Sequence, residues 1–120
     1  MSRSALFRLI AALFVAAALY HLAAFLQPAF GIPGARWRHA LFCLIDFLCA
    51  WYLTRRPRWF VGAFAVLTVY SIWSHGSQAW RLWHEQERLD WLSFSVIAVV
   101  PLALALLIRD ALDRRSRQSD

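Results

Sequence analysis

A single carboxylate in the middle of a long apolar segment is the most chemically informative residue of this sequence. Asp46 lies within the apolar run 37–54, among leucine, isoleucine and phenylalanine residues. Within a membrane an aspartate at the centre of a helix costs about 2.5 to 3.5 kcal/mol on insertion scales, so protein partners or water must offset the cost. His39 and Cys43 precede Asp46 at helical spacing, which places the three side chains on one helix face. We therefore treat Asp46 as a candidate functional residue.

The histidines are the second group of side chains that could perform chemistry. His21 lies late in the first apolar run, His39 opens the second run, and His75 lies late in the third. Imidazole titrates near neutral pH and binds metal ions, so these positions suit proton transfer, ligand binding or metal ligation. His84 follows in a charged stretch, where a solvated loop residue is expected.

The sequence predicts that these groups meet in one polar pocket in the outer half of a membrane. Thr68, Ser71, His75 and Gln78 are spaced three and four residues apart, which aligns them on one side of a helix. An arginine beside such a pocket could hold a phosphate or carboxylate head. The predicted ligand-binding residues are His21, His39, Asp46, Ser71, His75 and Arg38, and the predicted metal ligands are His21, His75 and Cys43.

A purely structural interpretation accounts for the same residues. Polar side chains between membrane helices commonly form hydrogen bonds that hold the helices together, worth about 0.6 kcal/mol each. Under this interpretation Thr68, Ser71 and Gln78 only fasten neighbouring helices. Asp46 would then form a structural ion pair with His21 or His75, and the sequence leaves both interpretations open.

Composition excludes several classes of protein. The chain has 120 residues, of which 61% are hydrophobic and 17% are charged, outside the usual balance of a soluble domain. The net charge of +6 does not predict nucleic-acid binding, because the basic residues stand at the ends of apolar runs and form no single patch. Only two cysteines are present, both within one apolar run, which argues against a disulfide scaffold.

Four apolar segments are long enough to cross a bilayer, which takes about 20 residues. They cover residues 5–26, 37–54, 59–80 and 91–108, the last with an internal Pro101 that removes one backbone hydrogen bond. A cluster of Pro28, Gly31, Pro33 and Gly34 predicts a turn after the first segment. The first segment also resembles the front of a signal peptide, but its length favours a retained span. Residues 109–120 are charged and are expected to form a frayed cytoplasmic tail.

The distribution of arginines predicts the orientation. All thirteen basic residues are arginines, which points weakly to a GC-rich bacterial genome. Basic residues in short loops remain cytoplasmic, and one side of the predicted topology holds nine arginines against four on the other. We therefore predict a multi-pass protein of a bacterial inner membrane with both termini in the cytoplasm. The nine are Arg3, Arg8, Arg55, Arg56, Arg58, Arg109, Arg114, Arg115 and Arg117.

The predicted fold is an all-α integral membrane protein, an antiparallel up-down bundle of four transmembrane helices. The function expected first is that of a binding or accessory subunit, for a lipid-like or quinone-like ligand or for a larger membrane complex. Its predicted partners are the bilayer, a hydrophobic small molecule and a second copy or larger complex, without nucleic acid. The alternatives are a membrane-embedded enzyme using His21, Asp46 and His75, a haem- or metal-binding bundle, and a small oligomeric transporter. No nucleophile elbow, His-Glu-x-x-His pair or phosphate loop occurs, and the sequence identifies no cofactor.

Overall fold

A computed structural model describes residues 2–27, 29 and 34–119. Apart from a single 3-10 residue at position 29, the regular secondary structure of these residues consists of α-helices. Helix α1 spans Arg3–Leu26, α2 spans Arg36–Arg55, α3 spans Arg58–Gln86 and α4 spans Trp91–Ser119. The predicted all-α class and the number of helices are confirmed for these residues. Pro28, Gly31 and Pro33 of the predicted turn lie outside the described residues.

Helices α1 and α2 pack together as one antiparallel hairpin. Ser2 caps the start of α1, where its side chain accepts a hydrogen bond from the Ala5 N–H at 3.2 Å. The far end of α1 is tied to the start of α2, because Arg36 Nε donates to the Phe25 carbonyl at 3.1 Å. The Arg36 guanidinium also lies 5.2 Å from the centre of the Phe25 ring. Buried α1 residues follow helical spacing and are Phe7, Ile10, Ala11, Phe14, Ala18 and Ala24.

Helices α3 and α4 form a second antiparallel hairpin. Glu87 ends α3 in the left-handed conformation at φ 51°, and its N–H donates to the carbonyl of Trp83. Asp90 then starts α4 by accepting the Ser93 N–H at 3.1 Å. At the opposite end of the hairpin, Arg56 Nη1 donates to Asp110 Oδ1 at 3.1 Å, so both ends are held by polar contacts.

Two helices extend farther than the apolar pattern predicts. Helix α4 is continuous through residues 109–119, in contrast to the expected frayed tail, because Asp110 is buried and Gln118 accepts a hydrogen bond from Arg58. Helix α3 continues past Trp80, so His84 lies in its last turn and not in a loop. The His84 ring packs on the Trp80 ring at 4.0 Å between centroids, which supports this polar last turn.

Two of the four helices are long and apolar enough to cross a membrane, namely Arg3–Leu26 and the Trp91–Ser116 portion of α4. The core helix of a soluble protein or a signal sequence passes the same test, but a core helix would be mostly buried. Here only 28% and 22% of the residues in the two apolar windows are buried. Helix α2 falls short because Arg38 and Asp46 interrupt it, and α3 falls short because it carries many polar and aromatic residues. The low burial argues against core helices of a soluble protein, so α1 and α4 suggest membrane association, while a signal sequence would also account for α1.

Candidate functional site

Two histidines meet where α1 ends and α2 begins. His21 Nδ1 and His39 Nδ1 are 3.1 Å apart, so one of these nitrogens donates a hydrogen bond and the other accepts it. His21 is half-buried, and His39 is only 6% exposed. The hairpin brings them together because His21 lies in the penultimate turn of α1 and His39 lies in the first turn of α2.

The opposite edge of the same imidazole faces Asp46. His21 Nε2 lies 3.8 Å from Asp46 Oδ2, within ion-pair distance when His21 is protonated. A neutral His21 ring can serve both contacts, because one of its nitrogens donates while the other accepts, toward His39 on one side and Asp46 on the other. The cluster of His21, His39 and Asp46 therefore places two imidazole rings and one carboxyl group next to one another. The Phe42 ring stacks on His21 at 5.5 Å and screens this cluster on one side.

The remaining nitrogen of His39 is buried against the backbone at the start of α2. His39 Nε2 has no hydrogen-bond partner among residues 2–27, 29 and 34–119. A Cβ atom added to Gly34 would come within 3.2 Å of this nitrogen, and Gly34 has a φ of +121°. The backbone conformation at residue 34 favours glycine, and a larger residue there would also press against the His39 ring.

Polar side chains of α3 contact the start of α4. His75 Nδ1 lies 3.0 Å from Ser93 Oγ, and Gln78 Nε2 donates to Asp90 Oδ2 at 2.8 Å. Ser93 Oγ donates to the same Asp90 oxygen at 2.6 Å, which completes a chain from His75 to Asp90. Thr68 does not contact α4 in this way, because its hydroxyl donates to the Phe64 carbonyl of its own helix at 2.7 Å. The stripe predicted on α3 therefore includes residues that fasten α3 to α4.

Serine, histidine and aspartate occur together here, but their order differs from that of a hydrolytic triad. In such a triad the histidine lies between the nucleophile and the carboxylate. Here Ser93 lies between His75 and Asp90, and its side chain is completely buried at 0% exposure. Ser93 cannot reach a substrate in this position, and the arrangement serves as a helix cap.

Asp90 is held as a carboxylate by this cap. Partial burial alone would raise its pKa, but hydrogen bonds from the Ser93 hydroxyl, the Ser93 N–H and Gln78, together with nearby His75, lower the pKa below its ordinary value. A lowered pKa means that the folded state favours the ionised form. This contribution to stability is present at neutral pH and is lost as the pH falls through the folded-state pKa.

An open groove lies between the last turns of α3 and the first turns of α4. Its volume is about 380 Å³, and two tryptophans form much of its wall. Small side chains on α3 leave the space, and Arg88 supplies a cation at its edge. The volume of this groove falls in the range of small-molecule sites, but the groove is open along one side and would leave part of a ligand uncovered. The lining residues are Gly76, Ala79, Trp80, Trp83, Arg88, Leu89, Phe94 and Ile97.

The structure divides the predicted site residues between the two hairpins. His21, His39 and Asp46 come together in the α1–α2 hairpin, where Cys43 is half-buried and Arg38 is exposed. Ser71 and His75 belong to α3 and are half-buried. A common pocket of both sets, and their binding of a ligand, stay predictions.

Metal ligation by His21, His75 and Cys43 also stays a prediction. Within the described ranges no group of three or more His, Cys, Asp or Glu side chains is placed to hold a metal ion. The Nδ1 atom of His75 contacts Ser93. The described geometry thus supports a hydrogen-bonded role for this histidine.

Several residues of these sites do not follow from the sequence analysis. Asp90 directly before an apolar run is a helix-cap signal that could have identified the start of α4. The groove could have been predicted only weakly from the sequence, from the small residues Gly76 and Ala79, which lie three residues apart on α3. The aromatic walls of the groove depend on packing and carried no signal.

Comparisons with known proteins find no match: no family model, no curated protein and no solved structure is similar to this chain. Its function therefore has to be inferred from its own residues.

Proposed function

We propose that this chain is a four-span membrane protein that binds a lipid-like or quinone-like molecule, alone or as an accessory subunit of a larger membrane complex. The ligand occupies the α3–α4 groove. The observation that carries the proposal is this aromatic groove of about 380 Å³ with an arginine at its edge. The cluster of His21, His39 and Asp46 in the α1–α2 hairpin is a second, polar site, separate from the apolar groove.

Apolar exposure on the less hydrophobic helices supports four spans. Val66, Val69 and Trp73 of α3 are each at least 70% exposed, and Leu44 of α2 is 57% exposed. Large aliphatic and aromatic side chains with such high exposed fractions are unfavourable in water and favourable against lipid. Asp46 of α2 and His75 of α3 both have polar partners, since His21 contacts Asp46 and Ser93 contacts His75. Paired polar groups reduce the cost of inserting these helices.

The orientation with both termini in the cytoplasm predicts a pattern of reporter activity. Alkaline phosphatase, which is active only in the periplasm, should be active when fused after residue 35 or residue 88. The same enzyme should be inactive when fused after residue 56 or residue 118, and a fluorescent protein that folds only in the cytoplasm should give the reverse pattern. Activity of alkaline phosphatase at residue 56 would contradict this orientation, and activity at residues 35 and 56 alike would contradict the span between them.

The groove matches an amphiphilic ligand better than a polar one. Trp80, Trp83 and Phe94 offer flat apolar surface for a ring or an acyl chain, while Arg88 can donate hydrogen bonds to an oxygen-bearing head. Aromatic rings with polar edges are typical of the membrane interface. A ligand could therefore enter the groove sideways from the bilayer.

Filling the groove should abolish binding without disturbing the helix. A Cβ added to Gly76 meets no described atom within 4 Å, so Gly76→Leu should place its side chain in the groove. We expect at least tenfold weaker binding of decylubiquinone or dodecyl phosphate, measured by equilibrium dialysis in a mild detergent. Gly62→Leu is the matched control, because Gly62 lies on the same helix with equally open space and outside the groove.

The two probes also identify the class of ligand. Arg88→Gln should weaken dodecyl phosphate about tenfold, since a charge-assisted hydrogen bond contributes about 1.5 to 3 kcal/mol. The same substitution should have a smaller effect on the uncharged quinone. Equal binding by the wild-type and Gly76→Leu proteins would rule out the groove as the binding site.

A further inference from the structure

The end of the α3–α4 hairpin opposite the groove is strongly basic. It combines the start of α3 with the last turns of α4, and we name it the arginine end. Among the described residues its six arginines are accompanied by two aspartates, Asp110 and Asp113, and Asp120 lies outside the described residues. Trp59, 60% exposed, lies beside it in the first turn of α3. The arginines are Arg56, Arg58, Arg109, Arg114, Arg115 and Arg117.

A buried carboxylate fixes the centre of the arginine end. Asp110 is 5% exposed and contacts two guanidinium groups, with Arg56 at 3.1 Å and Arg114 at 2.7 Å. Arg114 also donates to the Arg56 carbonyl at 2.8 Å, which ties α4 to the loop before α3. Arg56 has a φ of 53°, an uncommon conformation for a residue with a side chain, and these contacts hold it. The surface is therefore preorganised.

The charge on this surface is not balanced by its own acids. One Asp110 carboxylate serves two arginines, and Arg58 donates to the uncharged amide of Gln118. Arg109 and Arg117 are exposed and make no ion pair or hydrogen bond with the described residues. Guanidinium groups present several donors in a plane that matches a phosphate, so this end is suited to an anionic phosphate group.

We propose that the arginine end binds the phosphate heads of anionic phospholipids in the leaflet that it faces. We choose lipid over free phosphate because the arginine end directly follows the uncharged residues 91–108 of α4 and lies beside the exposed Trp59, as expected where lipid headgroups lie. This inference rests on the membrane part of the proposed function and is independent of the groove.

The test measures how strongly the purified protein prefers anionic lipid. Full-length protein in mild detergent is titrated with phosphatidylglycerol or phosphatidylcholine, and bound lipid is counted by native mass spectrometry. Arg109→Gln and Arg117→Gln should each weaken phosphatidylglycerol binding about fivefold, the effect of one basic residue near a membrane surface. Arg81→Gln is the matched control, since it removes one exposed arginine from the opposite end of α3 and should leave the binding unchanged.

Conservative and ionic controls separate charge from structure. Arg109→Lys should retain most of the binding, and 0.5 M salt should remove most of the preference because exposed charges are screened. Equal binding of the two lipids, an equal loss in Arg81→Gln, or equal affinity for inorganic phosphate would each overturn the inference. Groove binding of decylubiquinone is measured on the same samples, so its failure is distinguishable from failure at the arginine end.

Discussion

Asp46→Leu is expected to make insertion of α2 into a membrane more favourable by about 3 kcal/mol. The carboxylate is disfavoured at the centre of a span, whereas leucine is favoured, so the helix should no longer need its partner to insert. The measurement is a glycosylation-based insertion assay in which residues 36–55 are placed in a host protein. Phe47→Leu, at the neighbouring exposed position, is the control and should change insertion little.

The same substitution tests what the carboxylate does in the complete protein. Asp46→Leu removes the carboxyl group that lies 3.8 Å from His21 Nε2. Ligand binding at the α3–α4 groove should persist in this variant, because the groove is lined by residues of α3, α4 and the segment between them. Loss of a proton-dependent activity in a stable Asp46→Asn protein would instead favour the enzyme or transporter alternatives, which need a group that exchanges protons. Unchanged insertion of Asp46→Leu would contradict a central position of Asp46 in the membrane.

Phe64→Ala is expected to reduce the free energy of unfolding by about 3 kcal/mol. Phe64 is 0% exposed, and its ring packs on Phe60 at 5.4 Å between centroids. Truncation leaves a cavity that the surrounding helices cannot fill without moving. The measurement is reversible unfolding of the purified protein in mixed micelles with increasing denaturing detergent.

Val66→Ala, two residues farther along α3, provides the comparison. Val66 is 73% exposed, so its truncation creates no internal cavity, and a change within about 0.5 kcal/mol is expected. Equal destabilisation by Phe64→Ala and Val66→Ala would contradict the packing of α3 described here. It would also indicate that a further protein surface covers the exposed face of this helix.

Local patterns allowed part of the candidate site to be predicted. His39 and Asp46 were expected on one face of α2, and both approach His21 in the hairpin. Helical periodicity is a local property, so it can be read from spacing alone. Asp46 could also be predicted as a candidate site residue from local sequence, because a carboxylate within an apolar run is a functional candidate by default.

Contacts between distant residues were not predictable in the same way. His75 was expected in a pocket with His21, but its described partner is Ser93, eighteen residues later. Asp110 was expected in a frayed tail, yet it is buried and bound to Arg56 across 54 residues of sequence. Such pairs depend on the register of two packed helices, which spacing within one helix does not specify.

The sequence by itself determined that the described residues are all-helical, with four helices that begin close to the predicted positions. Those features depend on hydrophobic periodicity and on proline, glycine and charged residues near the helix ends, which act within a few residues. Only the tertiary structure decided that His21 lies between His39 and Asp46, that α4 continues through its charged end, and that a groove forms between α3 and α4. These features arise from packing and ion pairing between helices, whose energies depend on the side chains brought opposite one another.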